Sequence, residues 1–189
     1  MNAILYASIF QLFLGALADY GNQHPPQGSL EELISALNTS GPIWMVKRTY
    51  NKPNHSCVYS KMVLLNGTDY EFLQSYMDNG IMKQRHLYAH LATVNDTATG
   101  EGAMMTVSEE KRARWGTNYL LVISTPIEKC GILSFFNNAT NRYDCEMYAW
   151  NETVQTELHE CKECYRLYCS QQNEDHTVYN NECTEDPGC

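Results

Sequence analysis

Positive charge is scarce in this chain. Thirteen lysines and arginines stand against 22 aspartates and glutamates, for a formal charge of −9 over 189 residues. A nucleic-acid footprint needs a basic face, so the balance argues against that partner. Cysteine is also sparse: eight residues are about 4% of the chain, against more than about 8–10% in a scaffold held mainly by disulfides. Beyond the first 18 residues no run is long or apolar enough to span a bilayer. No G-x-S-x-G, H-E-x-x-H or phosphate loop occurs, and no nucleophile–base pair stands at readable spacing. Neither an enzyme nor a cofactor is therefore expected. Repeats and low-complexity segments are lacking too. What is present is a 43% hydrophobic, 11% aromatic composition, enough for a core and against wholesale disorder. The length is that of about one domain.

Met1–Ala18 carries no charged side chain, has an apolar centre and ends in Ala16-Leu17-Ala18, an A-x-A cleavage signature. The expectation is a signal peptide over 1–18 and a single mature domain over 19–189. Six N-x-S/T sequons, at Asn38, Asn54, Asn66, Asn95, Asn138 and Asn151, point the same way, to a secreted glycoprotein with solvent-facing loops. In that setting an even number of cysteines implies disulfides rather than metal or catalysis.

Ser29-Leu30-Glu31-Glu32 is a capping box opening a short helix, with Leu30, Leu33, Ile34 and Leu37 on one face. Gly41-Pro42 ends it, and the period changes to alternation. Strands are expected over Ile43–Tyr50, Ser56–Leu65, Tyr70–Met77, Ile81–Val94, Ala103–Ser108, Asn118–Ser124, Cys130–Phe136 and Tyr143–Trp150. Asn66-Gly67 and Asn79-Gly80 are turn signals between them. Eight short strands closely spaced indicate an antiparallel sandwich or up-and-down barrel. A helix is expected over Thr153–Cys169 from the stripe Val154, Leu158, Cys161, Tyr165 and Tyr168. A polar tail, 170–189, follows. Eight strands closed on themselves leave an interior for one small ligand.

Trp44-Met45-Val46-Lys47-Arg48-Thr49-Tyr50 followed by Cys57-Val58, Cys130-Gly131-Ile132-Leu133 and Glu146-Met147-Tyr148 resemble the tick salivary lipocalins of the histamine-binding family. The resemblance continues in the cysteine-bearing helix near Cys161 and a cysteine some twenty residues later. It implies a mainly β fold: an eight-stranded antiparallel lipocalin barrel over about 43–150, with a short N-terminal helix and a C-terminal helix. It also implies secretion in saliva, no cofactor, and disulfides Cys57–Cys183 and Cys130–Cys161. The pairing of Cys145, Cys164, Cys169 and Cys189 stays open.

The family holds cationic amines with buried carboxylates and aromatic walls, since a buried ammonium needs a charge partner. Glu146 matches one such acid, and Tyr50 and Tyr119 match wall positions. Pro53, Leu121 and Gly131 stand where other acids would be, so the second amine site looks absent and the first weakened. A barrel stripped of acids favours a small hydrophobic ligand, sterol or fatty-acid-like, as in the japanin-like branch, which acts on host dendritic cells. The implied ligand contacts are Trp44, Tyr50, Tyr119, Leu121, Ile123, Glu146 and Tyr148. The alternative is a histamine or serotonin scavenger using Glu146 and the tyrosines. A third reading gives the work to the outer surface, with a host immune-cell surface protein as partner. A monomer without nucleic-acid partner or membrane span is expected.

Plainer readings stand beside these. Cys161-x-x-Cys164 reads as disulfide chemistry before metal or redox. His86 and His90 share a strand face without further ligands, so no metal site is assigned. Lys111–Trp115 is a solvated turn before it is a receptor contact. Glu146 could instead form an ion pair with Arg48 or Lys47 across the sheet.

Overall fold

The computed structural model describes residues 28–96, 100–169 and 175–183. The expected signal peptide and Cys189 lie outside that set. Ser29 caps helix α1 (Leu30–Leu37) as its sequence requires: its hydroxyl accepts from the Glu32 amide at 3.2 Å, and the Glu32 carboxylate accepts from the Ser29 amide at 2.7 Å. Then come β1 (Ile43–Arg48), β2 (His55–Asn66), β3 (Asp69–Asp78), β4 (Ile81–Asp96), β5 (Gly100–Ser108), β6 (Thr117–Thr125), β7 (Cys130–Asn137) and β8 (Arg142–Trp150). The chain continues through α2 (His159–Tyr168) to a two-residue β9 (His176–Thr177).

Each of β2 to β8 pairs antiparallel with the next. β1 closes the circle, meeting β8 along its length and β2 at Ile43↔Ser60 and Trp44↔Tyr59. The far half of β1, Lys47 and Arg48, is covered by β9, so its edge is not left open. The result is a closed eight-stranded antiparallel barrel. Between β3 and β4 the turn is Asn79-Gly80, with φ of +52° and +78°, the paired positive angles a two-residue hairpin of this hand demands.

Alternation sorts the strand side chains into two layers. Inside, Leu33 of α1 packs with Tyr70, Phe72, Leu91, Met105 and Leu121, so α1 plugs one end of the barrel. Outside, Trp44, Tyr59, Ile132 and Met147 pack with Cys161 and Tyr165 of α2. Disulfides join Cys57 to Cys183, Cys130 to Cys161 and Cys145 to Cys169. The second and third fasten both ends of α2 to the β7–β8 wall. Bridges of this kind contribute typically about 2–4 kcal/mol each. Cys164 has no disulfide partner among the described residues.

Helix α2 is shorter than the expected Thr153–Cys169. Residues 151–156 form hydrogen-bonded turns, with Val154 and Thr156 amides donating to the carbonyls of Trp150 and Thr153. Leu158 adopts left-handed φ and ψ of 47° and 50°, which no α-helix runs through. The helix starts just after it, where the Glu128 carboxylate accepts the amides of Glu160 at 3.0 Å and Cys161 at 3.2 Å. Val154 and Leu158 are nonetheless buried, so the apolar stripe is real although its first two members precede the helix. No helix among the described residues is long and apolar enough to cross a membrane.

Candidate functional site

The barrel's open end is framed by the β1–β2, β3–β4, β5–β6 and β7–β8 turns, opposite α1. A cavity of about 250 Å³ begins there, lined by Phe72, Leu87, Met105, Val107, Tyr119, Leu133 and Tyr148. Gln74, Arg85, Ser108, Glu109 and Thr117 give it a polar rim. Arg85 and Glu109 form an ion pair across that rim, both half-exposed. A second, apolar cavity of about 80 Å³ lies deeper, between α1 and the walls, against Leu33, Leu37, Ile43, Tyr70 and Leu121. Met105, Leu133 and Tyr148 line both.

Glu146 lies on β8 with its carboxylate fully engaged. The Tyr50 hydroxyl donates to Oε1 at 2.5 Å and the Tyr148 hydroxyl to Oε2 at 2.6 Å. The residue is 2% exposed. Burial pushes its carboxyl above its ordinary pKa, opposed by the two tyrosine hydrogen bonds and the charges of Arg48 and Lys52. Burial, then the Glu146 charge, raises the Tyr50 phenol in turn. Phe135 lies edge-on to Tyr50, with centroids 5.6 Å apart, and tilts against Tyr119 at 5.1 Å. An acid thus stands behind an aromatic wall, held by its own phenols.

The alternative ion pair from Glu146 to Arg48 or Lys47 does not form, because both cations have other partners. Lys47 reaches Asp175 at 3.1 Å. The buried Arg48 guanidinium donates to the carbonyls of Tyr50, Lys52 and His55 and to His55 Nδ1 at 3.1 Å, bracing the β1–β2 turn. Arginine can only donate, so Nδ1 of His55 accepts and the ring is neutral. Burial, with Lys52 and Arg48 nearby, lowers the His55 pKa to about 4.

Of the residues nominated from sequence, Tyr119, Leu121 and Tyr148 line cavities, and Tyr50 and Glu146 stand just behind them. Two do not face the interior. Trp44 packs in the outer layer, its indole N–H donating to Asn151 Oδ1 at 2.8 Å, because its neighbour Ile43 takes the inward phase. Ile123 packs outward under α2, because a bulge between Leu121 and Ile123 reverses the phase of β6 and turns Ser124 inward. Leu121 and Gly131 border the inner cavity, and a Cβ at Gly131 would stand 3.2 Å from the Ile123 carbonyl oxygen. Pro53 lies exposed on the β1–β2 turn, so it does not replace a pocket acid.

Sequence reasoning missed the inward faces of β3, β4 and β5, and with them Phe72, Arg85, Leu87, Met105 and Val107. Strand alternation carries that signal, but only register tells which phase faces inward. It also missed Asp144, fully buried, which accepts from Thr49 at 3.0 Å and Asn137 at 2.7 Å and ties the β7–β8 turn to β1. His86 bonds Glu71 at 2.8 Å, and Lys111 reaches the same carboxylate at 3.0 Å, both on the outer wall.

A family model described as tick histamine binding protein matches residues 22–185. The chain belongs to that family. Its members are lipocalins that bind small ligands, and the three disulfides suit the oxidising extracellular setting in which such proteins work. No curated protein sequence matches the lipocalin. Solved structures similar to it include japanin from Rhipicephalus appendiculatus bound to cholesterol, at TM-score 0.54 and 10% identity over 76% of this chain and 95% of that one. AM182 in complex with serotonin gives 0.55 and 14% over 88% and 97%. Insecticyanin from the tobacco hornworm Manduca sexta gives 0.55 and 12% over 86% and 88%. At these identities the likeness is one of fold.

Proposed function

We propose that this lipocalin is a secreted salivary monomer that carries a small hydrophobic ligand, sterol or fatty-acid-like, and modulates host immune cells such as dendritic cells. The observation that supports the ligand class most is the state of Glu146. The carboxylate facing the barrel interior has both oxygens occupied by tyrosine hydroxyls and is sealed from the cavity. A cationic amine entering the cavity would meet apolar walls and the Arg85 guanidinium, whose partner is Glu109. An uncompensated ammonium is costly there, whereas an apolar body is stabilised by roughly 25 cal/mol per Å² buried. Arg85, Ser108 and Thr117 suit the polar head of an amphipathic ligand at the rim. The exposure of all six sequon asparagines supports a glycosylated, secreted chain.

The amine reading rests on a different observation: Tyr50, Tyr119, Tyr148 and Phe135 surround Glu146, the set a protonated amine would use if both phenols turned away. Calorimetry on the delipidated, deglycosylated protein separates the two. Saturable heat with a fatty acid or cholesterol and none with histamine or serotonin is the expected result, and the converse overturns it. A host-directed role is tested by dendritic-cell maturation with and without the protein, where unaltered maturation would count against it.

A further inference from the structure

We propose that Met105 sets the length of apolar ligand the barrel accepts, by separating the outer cavity from a tail compartment behind it. This rests on the hydrophobic-ligand reading above. The outer cavity and the 80 Å³ apolar space beneath α1 share three lining residues, Met105, Leu133 and Tyr148, which therefore form the partition between them.

Two of the three are fixed. Tyr148 is held at its far end by the 2.6 Å hydrogen bond to Glu146, whose other oxygen is taken by Tyr50. Leu133 is buried opposite Leu121 in the β6–β7 ladder, and its branched side chain has few rotamers to offer. Met105, on β5 between Leu91 and Tyr119 of the neighbouring strands, is 6% exposed and has no polar tether. It is unbranched and flexible, the side chain best able to swing aside without breaking a hydrogen bond. Beyond it the compartment offers Leu33, Leu37, Ile43 and Leu121, and no charged side chain lines it. A chain entering head-outward, with its polar end near Arg85, reaches Met105 with its tail. A short ligand stops there; a longer one must displace the thioether to gain the remaining apolar wall.

The test is a length series of saturated straight-chain fatty acids, octanoic to stearic, titrated into the delipidated, deglycosylated protein. Each methylene that finds apolar surface raises affinity about fourfold. The wild type is expected to rise at that rate and then flatten where the tail meets Met105. Met105→Ala should keep rising for further methylenes, and Met105→Phe should flatten earlier, while Met105→Leu keeps the wild-type break. Thermal unfolding checks that each variant folds, and Met105→Phe carries the comparison if Met105→Ala does not. A break at the same chain length in Met105→Ala or Met105→Phe as in the wild type, or no break in the wild type, overturns the role of Met105 while leaving the ligand class standing. Absence of binding at every length, with saturable heat from serotonin or histamine, overturns the ligand class and this inference with it.

Discussion

Replacing Glu146 with glutamine tests whether the interior acid is a sequestered structural group or a countercharge waiting for a cation. Glutamine has nearly the same shape; its oxygen can accept from one phenol and its amide can donate to the other, so the network with Tyr50 and Tyr148 survives. What changes is the proton. Burial raises the Glu146 carboxyl above its unfolded value, so between those two values the folded state binds more protons than the unfolded. Stability contributed by this group is therefore fully present below the ordinary carboxylate range and is lost as pH rises toward the folded-state pKa. The loss is at most about 1.4 kcal/mol per pH unit, the linkage slope for one proton. For a domain of this size that is a fall of about 3–5 °C in Tm per pH unit. Glutamine has no such slope. Melting curves of both proteins from pH 4 to pH 8 should show Tm of Glu146→Gln gaining on the wild type as pH rises through the lower part of the range. His55 titrates in part of the same window, but it is displaced by burial, then by Lys52 and Arg48, and not by Glu146, so it cancels in the difference. A difference independent of pH, or one in which the wild type gains on glutamine, would refute the reasoning. It would mean the carboxylate is held charged, as an amine site requires.

Other outcomes follow from the same structure. Because the His55 pKa is lowered to about 4, its stabilising contribution is present above the ordinary imidazole value near pH 6.5 and is lost as pH falls toward 4; His55→Gln should lose that part of the acid sensitivity in melting curves. Arg85→Ala should change stability by less than about 1 kcal/mol, since its ion pair is half-exposed, yet weaken a fatty acid up to about tenfold while sparing cholesterol. Equal losses for both ligands would place the head group elsewhere. Glu128→Ala removes the carboxylate that caps α2 and should cost about 0.5–2 kcal/mol in denaturant melts, whereas no cost would deny it that role. Replacing Cys145 and Cys169 together with alanine opens a bridge spanning 24 residues and should cost about 2–4 kcal/mol, read the same way.

The eight strands were legible because their signals are local, while their closure into a barrel rather than a sandwich was implied by the family resemblance. Period-two alternation, the Asn79-Gly80 turn and the Ser29 capping box each act within a few residues, and each appears where the sequence puts it. The errors fall where distant residues decide. The stripe Val154, Leu158, Cys161 has helical spacing, but the helix begins only where Glu128, some thirty residues earlier in the chain, supplies a cap. A bulge in β6 turned Ile123 outward, and nothing in Leu121-Val122-Ile123 announces a bulge. Trp44 was nominated by its motif, yet the phase of β1 gives the interior to Ile43. At the site, Glu146 was legible through the family's pattern of residues. Its occupation by Tyr50 was not, because residues 96 positions apart in sequence meet only once the barrel closes, whereas Tyr148 is its neighbour two positions on, on the same face of β8. The rim pair Arg85–Glu109 and the partition at Met105 depend on register in the same way.

The central claim is that the barrel holds an apolar molecule rather than a cation. Native mass spectrometry of the secreted, enzymatically deglycosylated protein, followed by solvent extraction, tests it most directly. The account predicts a mass excess over the bare chain that extraction removes and identifies as a sterol or fatty acid. An empty barrel that takes up one histamine or serotonin per chain, and neither lipid when offered, would contradict it.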